Sequence, residues 1–328
     1  MPRVGIRPKA TFIVALTALT ALTLSTAPAA AELWPQRPVR IVVPIAPGSS
    51  PDIAARVFAQ HLAARWGSTV VVENRPGADG VTGTISFATA HDDHALLFTG
   101  AAPVSVYPLI QEKLPYDPAR DILPVSIAVE TFGTISVPAS LPIKSLSDLI
   151  SFARSRPGQL NWASGGGAFP ILMAGFNKSA ELGMSHVPYR DQNLALQDLA
   201  EGRIHVFATA MTAALPFVES GKIRVLAVTN NRRSGMWPDI PTTTESGYPN
   251  VAFDGLLGMF ASRDTPHDRR ERIAADIQAI AADQAVKRRL EANGQIIRGS
   301  TPAEFDAAIE DQRTRISAIV RLIGKAPQ

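Results

Sequence analysis

The sequence predicts an α/β protein made of two α/β halves, with the chain crossing back to the first half near its end. Three observations predict this. Short continuous apolar runs alternate with helix-period stripes through the N-terminal third. The same alternation returns in the middle of the chain, and the last region is mostly helical. The chain has 328 residues, 46% of them hydrophobic and 19% charged, an ordinary globular composition whose length suits two domains.

The elements follow in order. VRIVVP (39–44) is a continuous apolar run of the kind a buried parallel strand shows. In PDIAARVFAQHLAARW, the residues Ile53, Val57, Phe58 and Leu62 form a helical stripe that Gly67 ends. STVVVEN (68–74) is a second strand, RPGADG a turn, residues 81–90 a small-residue helix, and HALLFTG (94–100) a third strand. DILPVSIAVE and FGTISVPA read as strands. SLSDLISFARSRPG reads as a helix with Ser145 as N-cap and Asp148 three residues on. LNWAS (160–164) is a strand that runs into GGG (165–167), followed by a helix over 170–182. MSHVPY, IHVFAT and KIRVLAVT are further strands, with a helix over 192–201 among them. TPAEFDAAIEDQRTRISAIVRLIG opens with a capping box, Thr301 and Glu304, and places Pro302 at the first helical position. Helices after the last strand have to cover a sheet, and the first sheet is the expected one.

Residues 1–31 stand apart. MPRVGIRPKA carries three positive charges, TFIVALTALTALTL is apolar, and APAAA supplies small residues where a signal peptidase reads. Cleavage is expected after Ala31, with a mature start at Glu32. The apolar run is shorter than the ~20 residues of a membrane span. Removing Arg3, Arg7 and Lys9 takes the net charge of +3 to near neutral, and no basic stripe with interleaved aromatics argues for nucleic acid. The chain has no cysteine, which excludes thiol chemistry, Cys-based zinc sites and lipid attachment at a lipoprotein cysteine.

The stretch VPIAPGSSPDI is the first candidate for chemistry. Gly48 permits a tight turn, Ser50 suits an N-cap and Pro51 the first helical position, so helix N–H groups gather at the end of a strand and favour an anion. A well-capped turn with no ligand reads equally well. A P-loop would need Lys-Ser/Thr after its glycines, and a nucleophile elbow would need G-x-S-x-G; neither is present. HDDH (91–94) resembles a metal cluster, but four adjacent residues on a short turn cannot converge on one ion, so a solvated polar turn is the better reading and no metal is expected. His61, His186, His205 and His267 stand singly, and Glu310-Asp311 lies on a charged helical face. NWASGGGAFP is the second Gly-rich turn. One turn in each half, facing across a cleft, would offer two sets of backbone donors to one anionic ligand. Neither turn holds Lys or Arg, which leaves Arg190 as the nearest direct ion-pair candidate.

Taken in order, WPQRPVRIVVPIAPGSSPDIAARVFAQHL, VVVENRPGADG, LPYDPARDILPVSIAV, LPIKSLSDLISFARSRPGQLNWAS, HVPYRDQNLALQDLAEGRI, LPFVESGKIRVLAVT and PDIPTTTESGYP resemble the periplasmic solute-binding proteins of tripartite tricarboxylate transporters, the Bug-type receptors. The resemblance implies a type II periplasmic binding protein fold: two α/β lobes joined by two crossover strands, with a ligand cleft between them that closes on ligand. It implies lobe 1 over 32–131 plus 252–328 and lobe 2 over 132–251. It further implies a monomer without cofactor or catalysis, which carries an organic acid through the periplasm to the membrane permease subunits of the transporter. Carried over residue by residue, Gly48, Ser49, Ser50 and Asp52 form one side of a carboxylate site. Ser164, Gly165, Gly166, Gly167 and Ala168 form the other, partly through ordered waters. The loop at Gly100, Ala101 and Ala102 and the helix start after Tyr189, with Arg190 and Asp191, should line the rest. This chain departs from the family at several points: Ser49 and Pro51 in the first loop, a second turn two residues short, and Asp191 and Gln192 for the usual glycines. Thr209, expected among the ligand-binding residues, replaces a common aspartate, and Leu256 a common tryptophan. Trp162 and Phe169 near the second turn favour an aromatic or otherwise apolar acid. Two other readings are a soluble sensor subunit with the same binding domain, and an exported hydrolase using Ser49 or Ser50.

Overall fold

The computed structural model describes residues 34–324 together with Met1, Pro2 and Gly5. Apart from those three, the expected signal segment and its cleavage point lie outside the described residues. The first part of the chain runs β1 (Val39–Val43), α1 (Ser50–Trp66), β2 (Val70–Asn74), α2 (Val81–Ala88), β3 (Ala95–Gly100), α3 (Ala102–Ser105), α4 (Tyr107–Ile110), α5 (Pro118–Asp121) and β4 (Ile122–Thr131). The middle comprises β5 (Gly133–Pro138), α6 (Leu146–Arg154), β6 (Asn161–Ser164), α7 (Phe169–Ser179), β7 (Ser185–His186), α8 (Gln192–Ala200), β8 (Val206–Ala210), α9 (Met211–Glu219) and β9 (Ile223–Val228). β10 (Gly255–Ser262), α10 (His267–Ala281), α11 (Gln284–Glu291), β11 (Gln295–Ile297) and α12 (Pro302–Ile323) complete it.

Two sheets result. One has six strands in the order β11-β4-β10-β3-β1-β2, the other five in the order β7-β6-β8-β5-β9. β1 pairs in parallel with β2 and β3, as strands linked by crossover helices must, while β10 returns antiparallel between β3 and β4. The chain leaves the first sheet at Thr131 and enters the second at Gly133, then comes back through residues 229–254. These two crossings are bonded to each other. The Thr229 N–H donates to Gly133 O (2.9 Å), Asn230 Nδ2 to Thr131 O (3.0 Å), and the Phe253 N–H to Thr229 O (2.7 Å). Beside them the buried Glu130 accepts from Arg232 (2.7 Å) and Arg298 (3.2 Å). The lobes therefore meet at a laced two-strand hinge.

Both expected capping boxes form, at Ser145 with Asp148 and at Thr301 with Glu304. MSHVPY keeps only Ser185–His186 as strand, because it lies at the outer edge of the second sheet with a single neighbour. At the start of α1 the N-cap is Ser49 rather than Ser50, and its side chain makes no capping bond. The last helix departs from the sequence expectation in a second way. Its first half covers the six-stranded sheet through Phe305 and Ile309, but Ile316 and Ile319 bury themselves in the core of the other lobe, where Ile319 packs on Gly175. A 22-residue helix is ~33 Å long, more than one lobe needs, so its tail crosses the hinge side. Among the described residues no helix is long and apolar enough to cross a membrane.

Candidate ligand-binding site

The loop after β1 is held by a carboxylate rather than by a serine cap. Asp52, 2% exposed, accepts from the Gly48 N–H (2.9 Å), Arg56 Nε (3.0 Å) and Asn74 Nδ2 (2.8 Å). Gly48 sits at φ +79°, a conformation glycine adopts without strain, and this lets its N–H turn back on Asp52. Burial pushes the Asp52 carboxyl up, but the bonds from Arg56, Gly48 and Asn74 outweigh it and hold the group below its ordinary value of 3.8. Asp52 therefore braces the loop with its own oxygens occupied. Ser50 is also committed, since Gln295 Nε2 on β11 donates to both its carbonyl (2.8 Å) and its hydroxyl oxygen (2.6 Å). The Ser49 hydroxyl is buried and has no hydrogen-bond partner.

Because the folded carboxyl of Asp52 lies below its ordinary value, its contribution is complete above about pH 4 and is lost as the pH falls through the folded value. Asp52→Asn offers one acceptor oxygen in place of two and strands a donor. It should lower stability in urea by about 1–3 kcal/mol at neutral pH and flatten the acid side of the stability profile. Equal stability of the two proteins at pH 7 would contradict the bracing role.

The turn after β6 is built differently. The Gly165 N–H continues the sheet by donating to Ala208 O (2.8 Å). A Cβ at Gly165 would meet Gln192 Oε1 at 2.8 Å and Thr209 Oγ1 at 3.1 Å, and Thr209, 1% exposed, donates to that same Gln192 oxygen (3.0 Å). Gly166 is exposed and faces the other lobe, where a Cβ on it would stand 2.6 Å from Asp79 Oδ1. A Cβ on Gly167, at φ +73°, would lie 4.0 Å from Ala102. Ala168 is the N-cap of α7 and adds no capping bond. Across the cleft this turn thus meets Asp79 and Ala102, whereas the first loop has its partners in Arg56, Asn74 and Gln295. Ala101 is buried as the N-cap of α3. Asp191 caps α8 by accepting from the Asn193 N–H (2.8 Å).

Between the lobes lies a cavity of about 560 Å³. Asp79, Tyr107 and Gln111 come from one lobe, and Gly167, Tyr189 and Arg190 from the other. Tyr107 is buried and donates to the Asp79 carbonyl (2.7 Å), and burial pushes its phenol well above the ordinary range. Burial, then the bond to Asp198 (2.6 Å), pushes the Tyr189 phenol up to about 12, so both tyrosines stay neutral donors. Of the residues expected from sequence, Gly167 and Arg190 line this cavity. Asp79, Tyr107 and Gln111 also line it, and no sequence motif sets them apart. Trp162 lies elsewhere: it is 2% exposed, stacks on His186 (centroids 4.3 Å) and lines a separate pocket behind α7. At HDDH the Asp92 carboxylate is held by Arg37 (2.5 Å) and Arg40 (2.8 Å), and Asp93 by Arg269 (2.6 Å) and His94 (2.7 Å). One ligand atom each from Asp92, Asp93 and His94 lies within 4.8 Å of the others, and these groups form an ion-pair network with Arg37, Arg40 and Arg269.

Comparison with known proteins agrees with this architecture. The model of the tripartite tricarboxylate transporter family receptor matches residues 54–325. BugT of Bordetella pertussis is 31% identical over 302 residues, covering 91% of this chain and 93% of its own. Among solved structures, an R. palustris protein with adipate superposes with a TM-score of 0.80 at 29% identity, covering 90% of this chain and 100% of its own. MatC from Rhodopseudomonas palustris with bound malate gives 0.76 at 26%, covering 87% and 99%. Two α/β lobes, a laced double crossing and a cavity between them agree with that likeness, and this chain belongs to the tripartite tricarboxylate transporter receptor family, a family of solute-binding receptors rather than enzymes.

Proposed function

We propose that the chain is a periplasmic receptor, exported by its N-terminal segment, that captures a small organic acid and delivers it to a tripartite tricarboxylate-type permease. The observation that carries this reading is the interlobe cavity, which has Gly167 of the Gly-rich turn before α7 and Arg190 on one wall. Backbone N–H groups at a helix start and an arginine together suit a carboxylate. Adipate and malate in the two similar structures support the ligand class. On this reading Ser164, Gly165, Gly166, Gly167 and Ala168 form one jaw with Arg190. Gly48 and Ser49, positioned by Asp52, form the other jaw with Ala101 and Ala102. The lobes are residues 32–131 with 252–328, and 132–251, closing about the two crossings.

A thermal-shift panel of small carboxylates, amino acids, sugars and inorganic anions tests this. A ligand at a hundredfold excess over its Kd should add about 2.7 kcal/mol of stability. At least one carboxylate is expected to raise the melting temperature. Failure of every carboxylate, with a shift from another solute class, would overturn the assignment.

A further inference from the structure

The geometry points to Asp79 as the residue that selects the ligand's second group, and to a zwitterionic amino acid as the ligand class. This deepens the proposed function and rests on it. Asp79 stands in the turn RPGADG at φ +53°, next to Ala78 at φ +47°, in the left-handed region that non-glycine residues seldom occupy. Tyr107 holds that strained backbone from the buried side by donating to the Asp79 carbonyl (2.7 Å). The side-chain carboxylate lies against Gly166 of the opposite lobe.

Among the described residues the Asp79 carboxylate has no hydrogen-bond or ion-pair partner, and neither does Arg190, which lines the same cavity from the other lobe. Asp52 and Asp121, by contrast, are each paired with an arginine, Arg56 and Arg120. An unanswered anion and an unanswered cation on facing walls make a dipolar site. A dicarboxylate would satisfy Arg190 but place its second charge in the field of Asp79, which like-charge repulsion disfavours. An amino acid satisfies both, carboxylate to Arg190 and ammonium to Asp79, while Val81, Ile110 and Ile171 offer apolar wall to the carbon between them.

The test is isothermal titration of the purified protein with matched pairs: each amino acid against its deaminated acid (leucine against 4-methylpentanoate, 5-aminopentanoate against pentanoate), with adipate alongside. For at least one pair the amino form should bind tenfold or more tighter than its partner and than adipate. Asp79→Asn, which keeps the shape and tolerates the left-handed backbone, should erase that advantage without weakening the deaminated acid. Arg190→Gln should weaken both members. If adipate or the deaminated acids bind as tightly as the amino forms, or if Asp79→Asn leaves the ratio unchanged, the role of Asp79 is wrong while the carboxylate receptor stands. If no carboxylate binds at all, both readings fall.

Discussion

Replacing Gly166 with tryptophan is expected to raise the Kd for the carboxylate ligand at least a hundredfold, about 2.7 kcal/mol, while leaving the melting temperature of the free protein nearly unchanged. The two effects separate because of where this glycine points. It is exposed on its own lobe, so a side chain there displaces no core residue. The atoms a Cβ would meet are the end of Asp79, at 2.6 Å for Oδ1 and 2.9 Å for Oδ2, and they belong to the facing lobe. An indole there occupies the gap that the ligand and the closing lobes must share. Titration calorimetry against the wild type measures the loss, and undiminished affinity would remove the second turn from the site.

Phe305→Ala should lower stability by about 3–5 kcal/mol, a large share of the roughly 5–15 kcal/mol that holds a typical domain together. Phe305 is fully buried, its ring 4.8 Å from that of Phe260, and it fills the space above Gly258, where a Cβ would fall 2.3 Å from the ring. Removing the ring leaves a void under the first turns of α12, and this helix anchors in both lobes through Phe305 and Ile319. Urea unfolding of the variant checks the size of the effect. A change below 1 kcal/mol would mean that the helix is not docked as described.

The fold was legible because its signals are local or periodic. Capping boxes lie within four residues, and the apolar runs of β1 and β3 need no partner to be recognised. Where α12 ends up was not legible in the same way. Its apolar face looks continuous in sequence, and only the position of Gly175 on α7 shows that the second half serves the other lobe. The site divided along the same line. Gly167 and Arg190 follow a strand end and a motif, and both line the cavity. Asp52 and Asp191 stand beside turns that read as ligand-facing; in the structure Asp52 accepts from the Gly48 N–H, Arg56 and Asn74, and Asp191 from the Asn193 N–H, a use that spacing alone does not distinguish. Nothing in the sequence sets Asp79 apart, because RPGADG reads as a turn by composition. Its importance comes from a left-handed backbone and a neighbour 87 positions away, Gly166, that no local pattern encodes.

A crystal structure of the protein purified from the periplasm with its ligand retained tests the central claim most directly. The account predicts a small organic acid between the lobes, its carboxylate at Arg190 and the turn of residues 164–168, with Asp79 facing the other end of the molecule. Density for a ligand in the pocket behind α7, or a bound molecule lacking a carboxylate, would contradict it.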